Sequence, residues 1–366
     1  MAEIRVENLH KAFAEFSAVR DSSFTVRDGD FFCLLGPSGC GKTTTLRMIA
    51  GLELPTSGRI LLGGEDVTFK QASQRDIAFV FQLFALYPHM NVRANISYPL
   101  RCQGTPRKEV AQRVEEAAKI LRITHLLDRS VSGLSSGDRQ RVALGRAIVR
   151  KPLAFMLDEP LGALDAEFRE LMCGELRALH DRLGATTVYV THDQLEAMSM
   201  ADTIALMNDG VLEQLGAPQE IYDRPASIFA ADFIGSPPMN LIPFHGSVKP
   251  GGRSVSIGEA AIAVPEAREG TEETDLVLGA RPEHVRLSAE SPLRASVVDA
   301  EYLGTTQIVT LTTAQGATLK ARLPSEVVAR PGDFTGLAFL PEKLSVFRRS
   351  SGRVLRSALH EEVARG

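Results

Sequence analysis

The chain has 366 residues, 44% of them hydrophobic and 23% charged, with a formal net charge of −4; that suits an ordinary soluble globular protein long enough for two domains with cores of their own. The charge balance excludes a global basic field of the kind that gathers nucleic acid or acidic membrane. The opening stretch MAEIRVENLHKAF has no apolar signal core, no apolar run is long enough to span a bilayer, and Cys33, Cys40, Cys102 and Cys173 are scattered without a CxxC pair, so a cytoplasmic chain with reduced thiols is expected.

In chain order, FFCLL (31–35) reads as a buried strand running into a glycine turn and the helix KTTTLRMIAGL. IAFVF (77–81), LAFMLDE (153–159), TTVYVTH (186–192) and TIALM (203–207) read as further strands, and 107–123 and 166–183 as helices. Strands alternating with helices predict an α/β fold with a mostly parallel sheet covered on both faces. The stretch from about 84 to 150 is mainly helical and interrupts that alternation, which predicts an inserted helical subdomain. GSPPMNLIP (235–243) stops the helix ASIFAADFI with a glycine and two prolines, so the expected domains are 1–235 and 236–366. Beyond it, short β-type runs separated by turns predict an all-β, small-barrel domain. The tail from Arg348 is left unassigned.

The chemistry starts at GPSGCGKT (36–43), which fits G-x-x-x-x-G-K-[ST] with a strand before it and a helix after it. A phosphate-binding loop is the reading, formed by Gly36, Pro37, Ser38, Gly39, Cys40, Gly41, Lys42, Thr43 and Thr44. Glycines let backbone N–H groups curl around an anion, and the helix adds its positive end. Lys42 can reach the β- and γ-phosphates, and the Thr43 hydroxyl can ligate Mg²⁺. The alternative, a chance glycine turn, does not explain the strand and helix on either side.

LAFMLDEP places Asp158 and Glu159 at the carboxyl end of a parallel strand, where ligands bind in such sheets. Asp158 is expected in the Mg²⁺ shell, and Glu159 is free to orient or deprotonate a water. Gln82 ends another strand and can touch the metal or the attacking water. His192 ends TTVYVTH and can donate to the γ-phosphate, although a lone histidine is more often structural. Phe13 can stack on adenine; a core position is the bland alternative, and Phe16 is a rival.

These motifs, in this order, resemble the ATP-binding subunit of ABC transporters over the whole chain. Leu134-Ser135-Ser136-Gly137-Asp138 stands where that family has a signature loop reading LSGGQ. The resemblance implies that Ser135, Ser136, Gly137 and Asp138 face the ATP of a second subunit in a head-to-tail dimer. Such a turn needs no lysine of its own, because the partner supplies it. Ser136 and Asp138 depart from the family's glycine and glutamine. Asp138 adds negative charge near a phosphate while favouring its own helix dipole, so tolerated drift and pairing with a different ATPase subunit both stay open.

LGALDA (161–166) matches the family's D-loop, with Asp165 expected at the subunit interface. LFALYPHMNVRANI (83–96) matches the stretch that meets the membrane subunit. Segments 218–240, 278–287 and 332–347 resemble the linker and OB-like regulatory domain of carbohydrate-uptake importers.

The implied function is therefore the ATPase of a binding-protein-dependent importer of a sugar, polyol, glycerol or glycerol phosphate. ATP and Mg²⁺ are the implied cofactors. The implied partners are a second ATPase subunit, two transmembrane permeases and, indirectly, a substrate-binding protein, with no nucleic acid. The implied location is the cytoplasmic face of the inner membrane. Import of polyamine, ferric iron or sulfate is an alternative, and a soluble non-transport ATPase or a catalytically weak regulatory subunit is a rival of another class.

Overall fold

The computed structural model describes residues 2–82, 84–162 and 164–361. Leu83 of the expected permease-facing stretch and Ala163 of the expected D-loop lie outside the described residues. The chain divides into two compact units, Met1–Pro218 and Gln219–Gly366.

The first unit opens with β1 (Ile4–Phe13) and β2 (Phe16–Val26), a hairpin that the sequence reading did not foresee. There follow β3 (Phe31–Leu35), α1 (Lys42–Ala50), β4 (Ser57–Leu62), β5 (Glu65–Asp66) and β6 (Ile77–Val80). Next come α2 (Val92–Cys102), α3 (Arg107–Ile120) and α4 (Ser136–Ile148), all within the stretch expected to be helical. The unit continues through β7 (Ala154–Asp158), α5 (Ala166–Leu183), β8 (Thr186–Thr191), α6 (Gln194–Met200), β9 (Thr203–Asn208) and β10 (Val211–Gly216).

Two sheets result. One is antiparallel, in the order β2-β1-β4-β5; the other has the order β10-β9-β3-β8-β7-β6. The second is parallel except for β10, which runs antiparallel to β9. Every residue of β3, β7 and β8 is buried, as expected of parallel strands covered on both faces. Alternation along β3 explains how. Phe32 stacks on Phe24 of β2, with ring centroids 5.2 Å apart, inside the core shared by the two sheets. Phe31 points the other way, 5.2 Å from the His180 ring of α5.

Register then brings the strand ends level. Leu35 of β3 pairs with Thr191 of β8, Asp158 of β7 with Val190, and Val80 of β6 with Leu157. The residues that follow these strands therefore emerge along one sheet edge.

The second unit begins within α7 (Pro218–Asp223), at its second residue, and continues with α8 (Ile228–Phe233). All the later strands are antiparallel: β11 (Asn240–His245), β12 (Ser254–Ile257), β13 (Ala260–Ala263), β14 (Asp275–Ala280), β15 (Val285–Leu287), β16 (Arg294–Tyr302), β17 (Thr306–Thr313), β18 (Thr318–Pro324), β19 (Phe334–Phe339) and β20 (Ser345–Arg348). They form sheets β11-β14-β20, β12-β13 and β15-β19-β16-β17-β18 around a core that includes Leu276, Leu278, Val309, Leu311 and Leu319.

The unit starts ahead of the boundary expected at 235, and Arg281 supplies a reason. Its buried guanidinium donates to the carbonyls of Tyr222, Ala231 and Ile234 and lies 4.1 Å from the Tyr222 ring centroid. Those bonds stitch α7 and α8 to the end of β14. The tail left unassigned by sequence also takes part, since Val354 bridges to Phe347 and Leu355 N–H donates to Val346.

Candidate nucleotide site

The loop from Gly36 to Gly41 connects β3 to α1. Gly41 has φ +99°, and a Cβ there would come within 2.3 Å of the Ala18 carbonyl oxygen. Only glycine fits so close a passage of β2 across the loop. Gly36 and Cys40 are buried, Pro37 is half-buried, and Ser38 and Gly39 form the exposed tip. Burial raises the Cys40 thiol above its usual value, with Lys42 opposing.

Lys42 opens α1 and is buried, with its ammonium donating to the Gly36 and Pro37 carbonyls at 2.8 Å each. The loop's own backbone thus holds the cation at the mouth of the helix. Thr43 and Thr44 are half-buried in the first turn. The Thr43 hydroxyl donates to Asp158 Oδ1 at 2.9 Å. Burial raises the Asp158 carboxyl above the usual range, and the Thr43 bond pulls the other way. The hydroxyl, the carboxylate and the nearby Gln82 amide offer hard oxygen donors of the kind Mg²⁺ takes.

Glu159 follows at the strand end with φ +43°, uncommon for a residue with a Cβ. Its two carboxylate oxygens have separate neighbours. Gln82 Nε2 donates to Oε2 at 3.2 Å, and His192 Nδ1 lies 3.3 Å from Oε1. Four strand ends thus supply one constellation: Gly36–Thr43 after β3, Gln82 after β6, Asp158–Glu159 at β7 and His192 after β8.

Ser135, Ser136, Gly137 and Asp138 form a second group with Asp165. Ser135 caps α4, accepting from the Asp138 amide at 3.2 Å, and its hydroxyl donates to Asp138 Oδ2 at 2.8 Å. Arg141 stands 3.6 Å from Asp138 and 3.0 Å from Glu175. Asp165 caps α5 by accepting from Phe168 N–H at 2.9 Å. A Cβ on Gly137 would lie 2.3 Å from the Phe168 ring. The first turns of α4 and α5 are therefore packed together through Gly137 and Phe168.

Phe13 and Phe16 pair across the β1–β2 turn and are 43% and 56% exposed, so neither is a core residue.

Residues that motif reading passed over support these groups. Arg169 donates to Asp193 Oδ2 and to the Leu164 carbonyl, both at 2.9 Å, tying the loop before α5 to the residue after His192. Lys11 lies over the Phe13 ring. The partners that hold them in place, Asp193 for Arg169 and Glu53 for Lys11, are distant in sequence, and no local spacing announces them.

Comparison with known proteins follows this geometry. The ABC transporter family model matches residues 19–162, the MalK OB fold domain 235–285 and the TOBE domain 278–347. The chain is 46% identical to the trehalose/maltose import ATP-binding protein MalK of Thermococcus litoralis, over 97% of this chain and 100% of that one. It is 43% identical to the trehalose import ATP-binding protein SugC of Mycobacterium tuberculosis, over 96% and 98%. It is 51% identical to the sn-glycerol-3-phosphate import ATP-binding protein UgpC 3 of Rhizobium etli, over 81% of each.

Among solved structures, cbiO1 of Clostridium perfringens, part of an ABC transporter complex, aligns with a TM-score of 0.56 and 28% identity, over 60% of this chain and 89% of that one. A bacterial ABC transporter cassette described as dimeric aligns at 0.53 and 28%, over 59% and 98%. Likeness of this strength across nearly the full length leaves one conclusion: the chain belongs to the import ATP-binding proteins of ABC transporters, ATPases whose hydrolysis is coupled to transport.

Proposed function

We propose that this chain powers uptake of a sugar or glycerol phosphate as one of two ATPase subunits, bound to two transmembrane permeases at the cytoplasmic face of the membrane and served by a substrate-binding protein. The names of its relatives support that substrate class. Among the described residues no helix is long and apolar enough to cross a membrane, so the crossing falls to partners.

The observation that carries the catalytic reading is Glu159, held between Gln82 and His192 beside the Thr43–Asp158 pair. Glu159 accepts the proton of the attacking water. Gln82 orients that water, and His192 donates to the γ-phosphate. Lys42 exchanges its loop carbonyls for phosphate oxygens. Phe13 stacks on the base. Thr43, Asp158 and Gln82 would hold Mg²⁺, which would supply charge neutralisation at the phosphates when bound. Ser135, Ser136, Gly137 and Asp138 close over the partner's nucleotide, with Asp165 at the seam. ATP binding then favours the closed dimer, since a ligand gripped only in that state stabilises it. Hydrolysis removes the shared γ-phosphate, and the Gln82 segment carries the change to the permeases.

Replacing Glu159→Gln tests this. ATP binding is retained, the dimer persists with ATP, and phosphate release falls about 100-fold or more. Turnover near the wild-type rate would remove Glu159 as the base.

A further inference from the structure

We propose that Lys11 is a positioning residue for base recognition: it fixes the Phe13 ring as the platform for adenine and so selects Phe13 over Phe16. This rests on the reading of Phe13 as the base contact. The two phenylalanines face each other across one turn, and both are exposed. What distinguishes them is how each ring is held. The Lys11 ammonium lies over the Phe13 ring, 4.6 Å from its centroid. Among the described residues no cation lies over Phe16. A cation on one face attracts the ring and leaves the other face for stacking.

The ammonium is itself anchored. It donates to Glu53 Oε1 at 2.6 Å and to the Leu54 carbonyl at 2.8 Å, and the Lys11 side chain is only 13% exposed. Glu53 and Leu54 lie three and four residues beyond the end of α1, and the Glu53 amide donates back to the carbonyl of Arg47 in its last turn. Thr56 adds a second tie, donating its N–H to the His10 carbonyl while its hydroxyl accepts from Ala12. At the other end of α1, the Ala18 carbonyl of β2 presses on Gly41. The hairpin is thus clamped at both ends of the helix that carries Lys42 and Thr43. The spacing between ring and phosphate loop is set before nucleotide arrives, and a ring already held loses less freedom on binding.

Calorimetric titration of the full chain with ADP in Mg²⁺ buffer tests the idea as a double-mutant cycle. Lys11→Met weakens ADP about three- to tenfold, the effect expected from releasing one immobilised side chain. Phe13→Ala weakens it more, and Phe16→Ala has little effect. Lys11→Met added to Phe13→Ala changes nothing further. In ATP hydrolysis, Lys11→Met raises KM and leaves kcat in place. Glu53→Gln loosens the anchor without removing the cation and gives a smaller shift in the same direction. An equal loss from Lys11→Met with and without the Phe13 ring would overturn the proposal, because the effect would then not pass through the ring. So would an unaffected Lys11→Met beside a weakened Phe13→Ala. Wild-type ADP affinity in Phe13→Ala would instead remove the underlying base-contact reading, and the proposal with it.

Discussion

Asp138 shows how a side-chain contact resolves what a motif leaves open. From sequence, its charge both opposes a nearby phosphate and favours its helix. In the structure that carboxylate accepts the Ser135 hydroxyl and has Arg141 at 3.6 Å. The charge is partly matched, but the Ser135 proton is spent within the loop. We therefore expect the purified chain to hydrolyse ATP on its own, and Asp138→Gln, which replaces the charged acceptor by a neutral one and so loosens the hold on that hydroxyl, to raise phosphate release about two- to tenfold, the worth of one hydrogen bond. A fall in rate would mean that Asp138 serves chiefly as part of the cap. Glu159 is the other residue set by its surroundings. Its left-handed backbone costs about 1–3 kcal/mol and turns the carboxylate to where Gln82 and His192 meet it.

Between elements, the joint of α5, α6 and β8 carries a buried carboxylate. Glu196 of α6 accepts from the Tyr189 hydroxyl of β8 at 2.7 Å and lies 3.6 Å from Arg169 of α5. Burial raises its carboxyl above the usual range, with the Tyr189 and Thr191 bonds opposing. A carboxyl raised in the folded state binds its proton more tightly there than when unfolded. Its effect is therefore most favourable below the unfolded value and is lost as pH rises through the folded one. Glu196→Gln keeps an acceptor for Tyr189 and removes the titration. The thermal midpoint of the variant relative to wild type should thus be higher at pH 8 than at pH 4. A difference independent of pH would exclude Glu196 as the source.

At the scale of the whole molecule, the two units have separate cores, one around Ile4, Phe32 and Leu46 and one around Leu276, Val309 and Leu319. Unfolding of a chain built this way need not be a single step. All the proposed ATP contacts of one protomer lie before Pro218. Scanning calorimetry of Glu159→Gln with Mg²⁺ and ATP should shift the transition of the first unit, by about 2.7 kcal/mol at a hundred times the dissociation constant. The transition of the β unit should stay in place. Equal shifts in both would mean that the second unit is coupled to the nucleotide.

The amino-acid sequence by itself determined the pieces whose chemistry is local. GPSGCGKT declares a phosphate loop because glycine spacing, lysine and helix start are contiguous, and FFCLL and LAFMLDE declare buried strands because both faces are apolar. Asp158, Glu159 and His192 were legible because each ends such a strand. The β1–β2 hairpin escaped notice because IRVENLHKAF mixes apolar and charged positions around bulges that break its alternation. The start of the second unit ahead of 235 was hidden because Arg281, far along the chain, draws α7 and α8 to it. Tertiary structure alone decided the bracketing of Glu159 by Gln82 and His192 and the anchoring of Lys11, over Phe13, by Glu53 and Leu54. In each, the chemistry belongs to side chains that meet only once the strands are in register and the helices are packed.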